Sequence, residues 1–367
     1  MILKMKYIDE YRSKPIIKGL IEKINRRLSQ TEQEIVLMEV CGTHTMAISR
    51  SGLRKVLSPK LRLVSGPGCP VCVTPNYYLD KAVAYARKQG IIIVTFGDML
   101  KVPGSSSSLE KEKTDGRDIR VVYSALDGLK IAEDNLEKKI VFLGVGFETT
   151  APTLAATIKI AKEKNIKNFF VFSGHKTMPP AMRALVNSDG IDINGFICPG
   201  HVSAIIGAVP YLFIPQEHSI ACVITGFEPV DIVQGIYMLI ENITSPLKPR
   251  VQIQYKRTVK KEGNPKAIDL MNEVFEETGS GWRGLGDIPG SGLKIRGAYQ
   301  DFDAEKNIEV EVEKTKETKG CICGEVLKGL KTPLDCQLFK KKCTPTNPVG
   351  ACMVSSEGTC SAYYKYE

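Results

Sequence analysis

The sequence predicts an α/β protein with two similar parallel-sheet domains facing a central cleft and a smaller cysteine-rich domain after them. Three observations lead there. First, eight short apolar runs recur along the chain: IVLMEV (35–40), LRLVSG (61–66), IIIVTFGD (91–98), IRVVYS (119–124), KIVFLGVG (139–146), FFVFSG (169–174), INGFICPG (193–200) and SIACVITG (219–226). Each ends in a glycine-rich or polar turn and leads into a helix-like stretch. Strands buried on both faces read as continuous apolar runs, and their alternation with helices is the signature of βαβ units. Second, the runs fall into two fours that echo one another. EVCGTHTMA (39–47) is matched by GVGFETTAP (144–152), and VSGPGCPVC (64–72) by ICPGHVSAI (197–205). Third, the character changes after Ser245. SPLKPRVQIQYKRTVKKEGNPK is extended and basic, GSGWRGLGDIPGSGLKI (279–295) is glycine-rich, and six of the eleven cysteines follow between Cys321 and Cys360.

The expected organisation is therefore two Rossmann-like domains, residues 32–125 and 126–245, with a C-terminal domain at 246–367. An amphipathic helix within residues 1–31 precedes them, its buried stripe formed by Ile16, Ile17, Leu20, Ile21, Ile24 and Leu28. A chain of 367 residues exceeds one ordinary core, which agrees with two or three domains.

Composition narrows the function classes. A hydrophobic fraction of 43% and a charged fraction of 25% are those of a globular protein. The N-terminal stretch MILKMKYIDEYRSKP has no apolar signal region, and the longest apolar run, AIIGAVPYLFIP (204–215), is short and broken by prolines. A cytoplasmic protein without a membrane span is expected. The net charge of +9 is spread among mixed segments such as EVEKTKETK (311–319), with no basic stripe interleaved with aromatics, so nucleic acid is not an expected partner and acidic proteins are a better match. Eleven cysteines in a reducing compartment point to metal ligands or redox thiols rather than a disulfide framework.

In parallel sheets, ligands bind beyond the carboxyl ends of the strands. Cys41 and His44 follow the first predicted strand, Cys69 and Cys72 the second, Asp98 the third, Glu148 the fifth, His175 the sixth and His201 the seventh. Three of the four histidines thus stand at strand ends, which favours a functional cleft between the domains over isolated structural roles. In CGTHT (41–45) a thiol and an imidazole lie three residues apart at a helix start, so both can face one point, as a Cys/His nucleophile pair or as a thiolate iron ligand beside an acid–base group.

GPGCPVC (66–72) precedes TPNYYLD, where Thr74 and Pro75 read as N-cap and first helical residue. Cys72 would then lie about one turn before a helix N-terminus, where free amides favour a thiolate. Such a Cys-x-x-Cys can store electrons as a dithiol, hold a soft metal or simply pack. A structural zinc ribbon would need a second Cys-x-x-Cys, and none is present. Neither G-x-G-x-x-G after the first strand nor a Walker A loop occurs, which argues against a nucleotide-using synthetase. The widely spaced Cys323, Cys336, Cys343 and Cys360 suit an iron–sulfur cluster better than zinc, whose ligands come as close pairs, with Cys321 an equally local choice to Cys323 and Cys352 left over. Cys198 and Cys222 sit within apolar runs and read as packing residues.

The motifs CGTHT, GPGCPVC, GFETTAPT (146–153), SGHKTMPPAM (173–182) and ICPGHVS (197–203), and the ending from GCICGEVLKG to GACMVSSEGTCSAYYKY, together resemble the HypD family of NiFe-hydrogenase maturation proteins. The likeness runs from about residue 10 to the end. It implies a scaffold that pairs with the small chaperone HypC and holds the iron on which the Fe(CN)2CO group is assembled. Cyanide would come from HypE, and the finished group would pass to the hydrogenase large subunit. Cys41 would be the principal iron ligand, shared with a HypC cysteine and flanked by His44. Cys69 and Cys72 would be further iron ligands or a redox dithiol, with Asp98 among the reactive set. A 4Fe-4S cluster on Cys323, Cys336, Cys343 and Cys360 would sit in a domain formed by the C-terminal segment and the N-terminal helix. The alternative is an iron–sulfur dithiol oxidoreductase acting on protein disulfides.

Overall fold

The computed structural model describes residues 9–367; the first eight residues of the N-terminal stretch read above lie outside the described residues. All eight expected strands form: β1 (Ile35–Glu39), β2 (Leu61–Ser65), β3 (Ile91–Thr95), β4 (Ile119–Val121), β5 (Lys139–Gly144), β6 (Phe169–Ser173), β7 (Gly195–Pro199) and β8 (Ala221–Thr225). Three more follow, β9 (Val251–Ile253), β10 (Phe275–Trp282) and β11 (Gly286–Ile295). Every strand of the first eight pairs in parallel, and the helices between them cover the sheet faces, so the α/β class holds.

The strands do not divide where the two-fours reading puts them. One sheet has the order β2-β1-β7-β8-β9 and the other β4-β3-β5-β6. The chain leaves the first sheet after β2, builds the whole second sheet, and returns to lay β7 beside β1 in the register Leu37↔Gly195. The boundary expected at 125/126 therefore falls inside the second sheet, and β9, expected in the C-terminal domain, is the outer strand of the first. The physical reason is that any buried parallel strand presents the same apolar run, so the run fixes a strand's existence and not its neighbour.

The helix Lys14–Ser29 forms as expected, but it packs elsewhere. Its Ile24 and Leu28 are fully buried with Ile48, Leu53, Ile232, Ile236 and Leu239, so it covers the first sheet together with the helix Pro229–Ile243 rather than the C-terminal segment. Arg12 ties its approach to Glu228 at 2.6 Å. The hairpin β10–β11 is antiparallel and packs its Phe275, Leu293 and Ile295 into the core of the second sheet. Residues 321–367 alone form the compact cysteine-bearing segment. No helix among the described residues is long and apolar enough to cross a membrane.

A buried charge anchors that last segment to the first sheet. Glu39 is fully buried at the end of β1, accepts a bond from Ser65 Oγ at 2.8 Å and meets Arg54 Nη2 at 3.1 Å. Arg54 also reaches Glu367 at 2.7 Å and lies over the Tyr363 ring at 5.0 Å, which fixes the helix Thr359–Tyr366 beside the helix Gly42–Arg50. Burial raises the Glu39 pKa against the pull of Arg54, so the partner is needed to keep the carboxylate charged where water cannot solvate it.

Candidate functional site

The carboxyl end of β1 runs straight into the helix Gly42–Arg50, with Cys41 as its N-cap in extended backbone conformation. Packing of GPG against this junction is close: a Cβ on Gly68 would stand 2.1 Å from Cys41 N. Gly42 N–H donates to Gly68 O at 2.9 Å, so the first and second strand ends are laced together. Cys41 is partly buried and its sulfur makes no capping hydrogen bond; burial, with Glu357 nearby adding to it, pushes its pKa up to about 11 against the pull of the neighbouring Thr43 and His44 N–H groups. Cys41 is thus a thiol at neutral pH until a metal displaces its proton.

His44 departs from the paired reading. Its Nε2–H is shared between Thr225 O at 3.2 Å and Gly226 O at 2.9 Å, and its ring stacks on Phe227 at 4.6 Å, so the imidazole is turned to β8 and not to Cys41. Burial lowers its pKa to about 4, so it is neutral and bound to the carboxyl end of β8. Nδ1 has no partner among the described residues. His201 also stacks on Phe227, at 4.0 Å.

Asp98 lies at the end of the second sheet, exposed, and the cysteine-bearing segment joins it to Cys41. Ser355 Oγ donates to Asp98 Oδ2 at 3.0 Å, and Thr43 Oγ1 donates to Glu357 Oε1 at 2.5 Å. Burial, with Asp98 adding to it, raises the Glu357 pKa. Ser355 and Glu357 were not legible as site residues, because only the return path of the C-terminal segment brings them between the two sheets.

In GPGCPVC it is Cys69, not Cys72, that stands at a helix start. Cys69 caps the short helix Pro70–Val73 and its sulfur accepts from Cys72 N–H at 3.4 Å. The next helix is Asn76–Arg87 with Pro75 at its cap, while the Thr74 hydroxyl turns back to Pro70 O at 2.8 Å instead of capping. Cys72 is fully buried, and burial, not the dipole, dominates by raising its pKa.

The pair is not isolated. Cys72 donates its backbone N–H to Cys69 and is packed beside Cys352, because the short helix Pro70–Val73 lies against Ala351–Met353. Cys352 Sγ lies 2.7 Å from Cys323 Sγ, and Cys323 in turn meets Cys321. A continuous file of sulfur, Cys69–Cys72–Cys352–Cys323–Cys321, therefore leads from the sheet ends into the C-terminal segment. Cys352, the residue left over in the sequence, is its middle member.

The file opens onto a cavity of about 20 Å³ lined by Cys321, Cys323, Cys336, Cys343, Cys352 and Cys360 and otherwise by apolar groups such as Leu338 and Phe339. Cys336, Cys343 and Cys360 gather around Phe339, Met353 and Tyr363, whereas Cys323 and Cys352 belong to the core that holds Cys69 and Cys72. Among the described residues no three His, Cys, Asp or Glu side chains converge as the ligands of a single ion would. A cubane takes one thiolate on each of four irons; the sulfur-bearing, apolar lining offers donors of that kind, but a space of about 20 Å³ holds little more than one water, so the thiols would have to move apart to admit it. Hydrogen bonding among the thiols and burial raise the pKa values of Cys321, Cys323, Cys352 and Cys360, so filling the cavity must release protons.

Away from this centre, Glu148 and His175 are buried at the ends of the second sheet. Thr150 Oγ1 and His175 Nε2 are 3.0 Å apart, and Glu148 Oε1 accepts Met178 N–H at 2.8 Å while its Oε2 has no partner among the described residues. Burial pushes the Glu148 pKa up to about 7. The fold therefore favours neutral Glu148: its contribution is full below the unfolded value of about 4.5 and is lost as pH rises through about 7. Chemical denaturation at pH 5 and pH 8 is expected to show that Glu148→Gln loses about 2–3 kcal/mol less stability across that interval than the parent chain. Equal losses in both proteins would contradict the assignment. Cys198 and Cys222 are fully buried in β7 and β8, as packing residues are.

Comparison with known proteins bears on the whole chain. The family model described as "HypD: Hydrogenase formation hypA family" matches residues 15–367. The chain belongs to the HypD family. It is 44% identical to the Hydrogenase maturation factor HypD2 of Bradyrhizobium diazoefficiens, covering 99% of this chain and 97% of that protein. It is also 42% identical to the Hydrogenase maturation factor HypD of Rhodobacter capsulatus (99% and 98% covered) and to that of Cupriavidus necator (99% and 97%). Such matches over full length make this HypD-family chain a hydrogenase maturation factor, with its cysteines on the frame described above.

Proposed function

We propose that this HypD-family protein is a scaffold on which the Fe(CN)2CO group of NiFe-hydrogenase is assembled, with a HypC-like chaperone as partner and a HypE-like protein as cyanide donor. The observation that carries the reading is a contrast in access. Cys41 is partly open at the sheet ends, while Cys69 and Cys72 are 3% and 0% exposed and continue inward to Cys352. A partly accessible thiol suits an iron shared with a partner's cysteine, iron being the cargo, and soft thiolates are the donors that low-spin iron with cyanide and carbon monoxide requires. A sealed pair in line with further thiols suits storage of electrons.

That storage has a use. Detaching cyanide from an S-bound thiocyanate breaks the S–C bond and takes two electrons, giving cyanide and thiolate. Oxidation of Cys69 and Cys72 to a disulfide supplies two electrons and releases two protons. In the cavity, Cys321, Cys336, Cys343 and Cys360 would hold a 4Fe-4S cluster, which supplies one-electron transfer when bound. Cys323 would then be free to pair with Cys352 rather than serve as a ligand. The alternative, an oxidoreductase acting on disulfides of other proteins, needs an exposed attacking sulfur, and the burial of Cys69 and Cys72 speaks against it.

Anaerobic purification with the chaperone, iron and sulfide counting and infrared spectroscopy test this. We expect about four sulfides per chain and nitrile bands on a further iron. Cys41→Ser is expected to keep the sulfide and lose the nitrile bands. A Cys41→Ser protein with unchanged nitrile bands would remove Cys41 from the proposal.

A further inference from the structure

The lining of the cysteine cavity includes a residue that also meets side chains of the surface. Phe339 lines the cavity, and its ring is met by the Lys340 ammonium at 5.4 Å and by the Tyr364 ring, edge-on, at 6.3 Å. Lys340, Lys341 and Lys342 are consecutive, exposed, and directly precede the buried Cys343. None of the three takes part in a salt bridge among the described residues, unlike Lys331, which pairs with Glu325 at 2.7 Å.

The carboxylates of this segment are engaged elsewhere. Glu367 is held by Arg54, Glu357 by Thr43, and Asp335 accepts from Thr332 N–H at 2.7 Å. The three lysines thus form an exposed run of positive charge without an ion-pair partner among the described residues. Tyr364, whose ring meets Phe339 edge-on, is 38% exposed, and Leu334, on the turn that packs against the Tyr364 helix, is 65% exposed. A small apolar centre edged with unpaired like charges is the form of a transient, electrostatically steered interface rather than of an obligate one.

We propose that the face formed by Lys340, Lys341, Lys342, Leu334 and Tyr364 docks a small acidic one-electron carrier protein against the wall of the cysteine cavity. Charge complementarity selects the occupant, and the position of Phe339 between the face and the cavity gives the docked carrier its purpose: it is oxidised by one electron per encounter, and the redox centre behind Phe339 is reduced by one. This rests on the reading that the cavity is a redox centre, but the docking itself does not need the cavity to be filled.

The test uses the full chain, an acidic plant-type 2Fe-2S ferredoxin as probe, and the variant Lys340→Glu/Lys341→Glu/Lys342→Glu, with Lys→Gln at the same positions as a milder second variant. Calorimetric titration is expected to show binding by the parent chain that weakens steeply with salt, a loss of roughly ten-fold or more in the Glu variant and a smaller loss in the Gln variant. Reduction by dithionite, which needs no docking surface, is expected to be unchanged. Equal carrier affinity in parent and variants would overturn the proposal. So would a polyglutamate peptide binding as tightly as the carrier, or a dimer of the chain that dissociates in the variants. Iron and sulfide counts on the same samples judge the cavity separately: a chain without cluster but with salt-sensitive carrier binding keeps the face and removes the redox reading.

Discussion

Gly68→Ala is expected to be severely destabilising for a single added methyl. The new Cβ would lie 2.1 Å from Cys41 N, 2.4 Å from Cys41 Cα and 2.4 Å from Val40 C. All three obstacles are backbone, so no side chain can rotate away, and relief requires pulling the GPG turn off the end of β1. That also breaks the Gly42 N–H to Gly68 O bond. A cost of about 3 kcal/mol or more is expected, in the range of overpacked cores with backbone movement, together with faster alkylation of Cys41. Gly19→Ala is the control: it is helical with nothing within 4 Å of the new methyl, and should stabilise by about 0.5–1 kcal/mol. Denaturant melts of the two variants decide it, and a Gly68→Ala chain of parental stability would show that the close approach is not rigid.

Cys72→Ala and Cys352→Ala are expected to abolish the infrared nitrile bands while leaving chaperone binding, iron of the cluster and sulfide intact. Cys72 lies between its Cys-x-x-Cys partner and Cys352, and Cys352 continues to Cys323 at 2.7 Å. Removing either leaves two separated thiol groups, and electrons stored at Cys69 and Cys72 cannot be replaced. Nitrile bands of parental intensity in Cys72→Ala would sink the dithiol role. Loss of sulfide in Cys352→Ala would instead make Cys352 a cluster ligand and Cys323 or Cys321 the free partner.

The strands and the placement of reactive residues at their ends were legible because both follow from local chemistry: apolar runs buried on both faces, and polar or sulfur-bearing turns after them. Cys41, Cys69 and Cys72 are where that reasoning puts them. What failed was whatever depended on distant partners. β7 inserts beside β1, the helix Lys14–Ser29 lies on Pro229–Ile243, and the His44 ring turns to β8, each decided by a contact with chain far away in sequence. Cys352 was uninformative for the same reason, since its meaning lies in Cys72, which only the fold brings to it. The Cys-x-x-Cys was read through the helix that follows it, but burial of Cys72 outweighs any nearby dipole.

The interrupted first sheet also sets an order of events during synthesis. β3 to β6 are contiguous in the chain and complete the second sheet by Ser173, whereas β1 and β2 wait for β7, as the pairing of Leu37 with Gly195 requires. Long-range pairing is slow and chains fold unit by unit as they emerge, so the second sheet is the natural first folding unit and the first sheet closes around it. The six clustered cysteines leave the ribosome last, into a frame that is already built, which limits the time in which they can meet wrong partners.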